Sequence, residues 1–250
     1  MALDPTLIGD AAVPLVLRRT EKGQLEAAYD MASALVERHP DNARAHFALG
    51  YVFRYAGLLE EAAVQCEAAL DRDPTDRRFR SCANGLVRLG RYGRAKDFLR
   101  LDAGSEFAAA YGAEILVREG DPRGALEALR SLPDDYAMRG QALLRSCLER
   151  RSPAEIAAIA RQLQSAAQTK REPEPMYFAA TNLAVCGRSD EAIQLLREAI
   201  RGNYCSYPSL MTDPSLATVS DRPDFAGVVN EAKACRERFE SYRRHHADTR

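Results

Sequence analysis

The chain has 250 residues, 46% of them hydrophobic and 28% charged, and its 35 Lys and Arg against 36 Asp and Glu leave a formal net charge of −1. This composition belongs to a folded chain with a large core and excludes a disordered or fibrous one. The balance of charge also excludes the global basic excess that draws a protein onto nucleic acid, and no apolar run approaches the roughly 20 residues a membrane helix needs.

At the start of the chain, MALDPTLIGDAAVPLVLRR puts Asp4 and Pro5 where a signal peptide needs a basic segment followed by an apolar one. The expected location is therefore cytoplasmic. A first helix pair is expected over about 9–42, with its turn at Gly23, Ala28 on the helix that follows, and Pro40 at its end. The same three residue types return 34 residues later as Gly57, Ala62 and Pro74, closing a second pair over 43–75. Short side chains at Gly50, Ala62 and Ala69 let two helix axes approach, while Phe53 and Leu70 fill the remaining space.

A unit of this length and pattern resembles the tetratricopeptide repeat, which is two antiparallel helices. The turn signal continues as Gly90 with Ala95, Gly120 with Ala125, and Gly187 with Ala192. Further pairs are thus expected over 76–104, 105–133, 134–171 and 173–203. The fifth lacks the turn glycine; in its place Ser152, Pro153 and Glu155 supply a cap, a first-turn proline and an N-terminal negative charge. Gly90 and Gly120 are closer together than the full period, so the superhelix should tighten between the third and fourth pairs. Segment 204–246 carries Asp213-Pro214-x-Leu216 and Arg222-Pro223-x-Phe225. It is similar to the terminal segment of tetratricopeptide arrays in bacterial signalling proteins, and Tyr204, Tyr207, Leu210, Leu216 and Phe225 could cover the last unit's open face. The expected fold is one all-α, right-handed α-solenoid over 1–250 with about six pairs and a C-terminal cap.

Cys66, Cys82, Cys147, Cys186, Cys205 and Cys235 never form a C-x-x-C pair and lie mostly in apolar helical stretches, which reads as core filling. Neither they nor the four histidines suggest a metal site, and no cofactor is expected. There is no phosphate loop, HExxH or Gly-x-Ser-x-Gly, and the acid pairs Glu60-Glu61, Asp134-Asp135 and Asp190-Glu191 stand at turns and helix starts, so catalysis is not expected.

The resemblance implies binding of a peptide or protein segment in the concave groove formed by the first helix of each pair. On that face the sequence puts Arg44, Phe47, Tyr51, Arg54 and Tyr55, followed by Arg77, Arg80, Asn84 and Arg88. These are residue types of binding hot spots, and their charge suits an acidic partner. Arg80 and Asn84 imitate part of the clamp used on chaperone tails, but the later groove positions Phe107, Tyr111, Glu114, Ala137 and Gln141 provide no second basic pair. The later groove residues Glu114, Leu144, Tyr177 and Thr181 also end the basic stripe that an RNA-reading array would need. The expected function is a non-catalytic protein-interaction module; the alternative is the C-terminal regulatory array of a larger kinase, cyclase or transcriptional regulator. In that case an uncapped first pair would invite self-association.

Overall fold

The computed structural model describes residues 12–132 and 140–247; the Asp4 and Pro5 stretch, the start of the first pair at Gly9, Asp134-Asp135 and Ala137 lie outside them. The described residues form helices only. The first pair is α1 (Ala12–Glu21) with α2 (Leu25–Arg38), and the second is α3 (Ala43–Tyr55) with α4 (Leu59–Arg72). A 3-10 turn over Arg77–Cys82 leads into α5 (Ala83–Arg88), which pairs with α6 (Tyr92–Arg100). Then follow α7 (Glu106–Arg118) with α8 (Pro122–Arg130), α9 (Gly140–Leu148) with α10 (Pro153–Lys170), and α11 (Pro173–Val185) with α12 (Ser189–Arg201). A short α13 (Tyr207–Thr212), a 3-10 turn at Pro214–Leu216 and a long α14 (Pro223–Ala247) complete the chain.

Local chemistry accounts for these limits. Some helix starts are capped by side chains that satisfy free amides: Asn42 accepts from the amides of Arg44 and Ala45, Ser105 from Ala108 and Asp121 from Gly124. Ser152 and Glu155 form a reciprocal capping box with Pro153 in the first turn of α10. The glycine-less turn of this pair is made by Arg150, which adopts the left-handed conformation at φ 55° that glycine takes elsewhere. At Gly50 a side chain would stand 3.1 Å from the Ala62 carbonyl oxygen, so the absence of one allows α3 and α4 to close on each other.

The array does not stay open. α14 packs on both α12 and α2, so the second helix of the first pair is covered by the chain's own C-terminus, where the sequence suggested a bare pair. Tyr204, Leu210, Leu216 and Phe225 are buried, with Tyr207 half-buried, and the same segment also reaches the first two units. The Cys205 amide donates to the Tyr55 carbonyl at 2.7 Å, the Asn203 side-chain amide donates to the Gly23 carbonyl at 2.8 Å, and the Tyr242 hydroxyl donates to Asp30 at 2.8 Å. The two turn glycines Gly23 and Gly57 have left-handed φ of 71° and 75°, and their bare Cα faces the backbone of Gly202 and Cys205. A Cβ at Gly57 would lie 1.9 Å from the Cys205 carbonyl oxygen, whereas one at Gly90 would meet nothing.

The cysteines correct the core-filling reading. All six are paired: Cys66 with Cys82, Cys147 with Cys186, and Cys205 with Cys235. The first two bonds join neighbouring units and the third ties the cap loop to α14. Stacked helix pairs bring residues 16, 39 and 30 positions apart side by side, a proximity that spacing along the sequence does not reveal.

Candidate binding site at the centre of the array

The inner faces of the first helices meet one another, with α11, the first helix of the sixth pair, placed against residues of α3 and α5. The face of α11 carries Glu174, Tyr177, Phe178, Thr181 and Asn182, all buried. Glu174 accepts from Arg54 at 2.9 Å with one carboxylate oxygen, and from Arg88 at 3.0 Å and the Tyr204 hydroxyl at 3.1 Å with the other. Arg54 also donates to the Ser81 carbonyl and lies over the Tyr51 ring at 4.2 Å, while Arg88 is enclosed by the rings of Tyr177, Phe178 and Tyr204 at about 5 Å. Burial alone would raise the Glu174 carboxyl, yet the two guanidinium groups override it and hold it below the usual carboxylate range.

A second cluster continues along the axis. Arg118 grips Asp213 through two parallel bonds of 3.1 and 3.0 Å, to which the Tyr177 hydroxyl adds a third at 3.2 Å. Burial opposes ionisation of Asp213, and Arg118 outweighs it, so that acid too is lowered. Glu114 differs. Its carboxylate accepts from Gln141 at 3.1 Å and Asn182 at 3.4 Å, and pairs with Arg118 only at 3.8 Å. Desolvation dominates there, with Asp213 adding repulsion, and the carboxyl is pushed up to about 7.

The nine expected groove residues thus divide into two groups. Tyr51, Arg54, Tyr55 and Arg88 come together around Glu174: the Tyr51 ring stacks on Tyr55, and the Tyr51 hydroxyl donates to Glu21 at 3.2 Å. Nearby, Phe47 packs on Phe79 at 5.2 Å and Asn84 hydrogen-bonds Tyr111. Of these six residues, only Tyr51 keeps more than a trace of exposed surface. The expectation of an open inner face here is corrected, because the closing array fills its own groove. Arg44, Arg77 and Arg80 lie apart on an accessible rim with Arg78. Asp76 holds Arg44 at 3.1 Å and Arg78 at 2.8 Å, and Asp102 holds Arg80 at 3.3 Å and Arg77 at 3.6 Å.

The sequence reading missed Glu174, Asp213 and Tyr204 as members of the inner cluster. One signal for Glu174 existed: it is the only charged residue in PEPMYFAATNLAV, and a lone acid on an otherwise apolar helix needs a buried partner. No helix of the described residues is long and apolar enough to cross a membrane.

This stack of antiparallel pairs, with left-handed glycines at the turns, is the fold of the tetratricopeptide repeat. One solved structure agrees in fold. The crystal structure of the APC/C hetero-tetramer Cut9-Hcn1 matches with a TM-score of 0.59 and 16% identity, the alignment covering 89% of this chain and 49% of that one. This chain therefore spans about half the length of that relative. Lower similarity is found to YrrB, a TPR protein with an unusual peptide-binding site (TM-score 0.39, 19% identity, 72% of this chain and 96% of that one), and to pilF of Pseudomonas aeruginosa (0.45, 20%, 96% and 96%). No protein-family profile matches the chain, and no curated protein does. By fold, the chain is a tetratricopeptide-repeat α-solenoid.

Proposed function

We propose that this chain is a non-catalytic protein-interaction module that docks a partner's acidic segment on the rim formed by Arg44, Arg77, Arg78 and Arg80. The observation that carries this reading is the basic excess at the rim, where four guanidinium groups stand against three acids, the largely buried Asp76 and Asp102 and the partly exposed Asp73. The side chains of Arg77 and Arg78 are 75% and 55% exposed, so they can exchange water for a partner's carboxylates. In this reading Phe47, Tyr51, Arg54, Tyr55, Asn84 and Arg88 act from beneath, fixing the helices that carry the rim. The scaffold-type fold agrees with such a role.

A fluorescein-labelled oligoglutamate peptide at low ionic strength tests the site by anisotropy. It should bind the wild type and lose at least tenfold in affinity with Arg77→Glu/Arg78→Glu, while oligolysine binds neither. Equal oligoglutamate binding by both proteins would refute the rim.

The three disulfides bear on location. Cross-links in every cysteine are characteristic of oxidising compartments, which weighs against the cytoplasmic placement expected from the first residues. Fractionation of the source cell, with thiol trapping before lysis, decides between the two.

A further inference from the structure

Arg44, Arg77, Arg78 and Arg80 border a single concavity, which also holds Asp73 and Asp76. The acids of the rim are already engaged. Asp76, its side chain 6% exposed, accepts from the Arg78 amide and Nε with one oxygen and from Arg44 Nε with the other, and Asp102 pairs with Arg80 and Arg77. Asp73, which is more open, accepts from the Thr75 amide at 3.0 Å and from its hydroxyl at 2.8 Å through one oxygen. Two of the four guanidinium groups are fixed by these contacts: Arg44 by Asp76, and Arg80 by Asp102 and by the Phe107 ring, over which it lies at 4.9 Å. The other two keep their forks open. Among the described residues Arg77 makes no hydrogen bond through its guanidinium, meeting Asp102 only at 3.6 Å, and Arg78 uses Nε alone, which leaves both of its terminal nitrogens unbonded.

A carboxylate has two oxygens, and a single guanidinium fork satisfies both. Two neighbouring open forks suit a group with more acceptors and more charge. A phosphate monoester supplies three terminal oxygens and a charge of about −1.5 to −2 at neutral pH. We propose that the rim binds a phosphorylated segment of a protein partner, its phosphate held between the guanidinium groups of Arg77 and Arg78. This assignment rests on the interaction reading above and narrows the partner, since docking then follows phosphorylation of the segment.

The test is fluorescence anisotropy of the full chain with fluorescein-labelled peptides that are identical except at one place, where they carry phosphoserine, a pair of glutamates or serine. The diglutamate peptide matches the charge of the phosphopeptide without its tetrahedral group. The phosphoserine peptide should bind roughly tenfold more tightly than the diglutamate peptide, and the serine peptide should bind weakest. Arg77→Lys/Arg78→Lys keeps the charge and removes the forks, so it should bring the phosphoserine and diglutamate peptides to within about threefold of each other while oligoglutamate still binds. Inorganic phosphate at the peptide's own concentration should not displace it. Equal affinity of the wild type for the phosphoserine and diglutamate peptides, a preference that survives the double Lys change, or displacement by inorganic phosphate would each overturn the assignment. If oligoglutamate binds the wild type in any of those cases, the acidic-segment reading stands without the phosphate; if neither it nor the phosphopeptide binds, both fall.

Discussion

Glu174 and Arg54, 120 residues apart in sequence, meet at 2.9 Å in the interior of the array, and Arg88 reaches the same carboxylate from another helix. One acid thus bridges two buried cations drawn from the second and third units. The sixth unit completes the first half of the molecule as much as it extends the second.

Removing that acid should be expensive. Glu174→Ala leaves Arg54 and Arg88 buried without a counter-charge, and a loss of roughly 3–5 kcal/mol is expected from urea unfolding. The triple change Arg54→Met, Arg88→Met, Glu174→Leu removes the charges together and should recover most of that loss. If the single change costs under about 1 kcal/mol, the cluster is not the structural centre described above.

Two glycines with nearly the same backbone separate the cost of strain from the cost of closure. Gly90→Ala has φ of 69° and meets nothing, so it should lose only the left-handed penalty of about 1–2 kcal/mol. Gly57→Ala shares that penalty and also drives a methyl group into the Cys205 carbonyl. It should cost at least twice as much in the same unfolding assay, and equal losses would mean that the cap does not sit on the second unit.

The cysteine pairing is checked by mass. Alkylation in denaturant without reductant should add no label, and alkylation after reduction should add six. The bonds close loops of 16, 30 and 39 residues, each worth about 3–4 kcal/mol on the chain-entropy account, so reduction should lower the midpoint of unfolding markedly.

Glu114 sets a pH dependence opposite in sign to that of Glu174 and Asp213. Its folded carboxyl titrates near 7 against about 4.5 in the unfolded chain, so the folded state holds the extra proton between those values and stability falls as pH rises through that window. The groups facing it are Arg118 on its own helix, Gln141 on α9, Asn182 on α11, Asp213 from the cap and, farther off, Arg88. Glu114→Gln should abolish a decline on the order of 3 kcal/mol between pH 5 and 8. The lowered acids Glu174 and Asp213 act below this range, withdrawing their stabilisation as pH falls beneath the usual carboxylate values.

Much of the fold was legible because each repeat states its own turn. Gly57, Ala62 and Gly50 belong to one short segment, and their roles follow from the contact between adjacent helices. The Ser152 cap was legible for the same reason. The inner faces were also legible, since Arg54, Arg88, Glu114 and Tyr177 all point toward the axis. What lies opposite them was not, because it depends on how far the superhelix turns before its ends meet, and small rotations between units accumulate without any local sequence signal. The pairing of Cys205 with Cys235 and the burial of Tyr55 beneath Tyr204 are consequences of that accumulated turn, and so they could not be inferred from periodicity.

The contact of α14 with α2 has a consequence for how the molecule comes apart. An open stack of repeats behaves as a one-dimensional chain in which each unit answers only to its neighbours, so it can fray from an end. The packing of α14 on α2 couples distant units directly, so opening the first pair also disturbs the contacts of the sixth, and this long-range contact is the one a folding chain makes slowly.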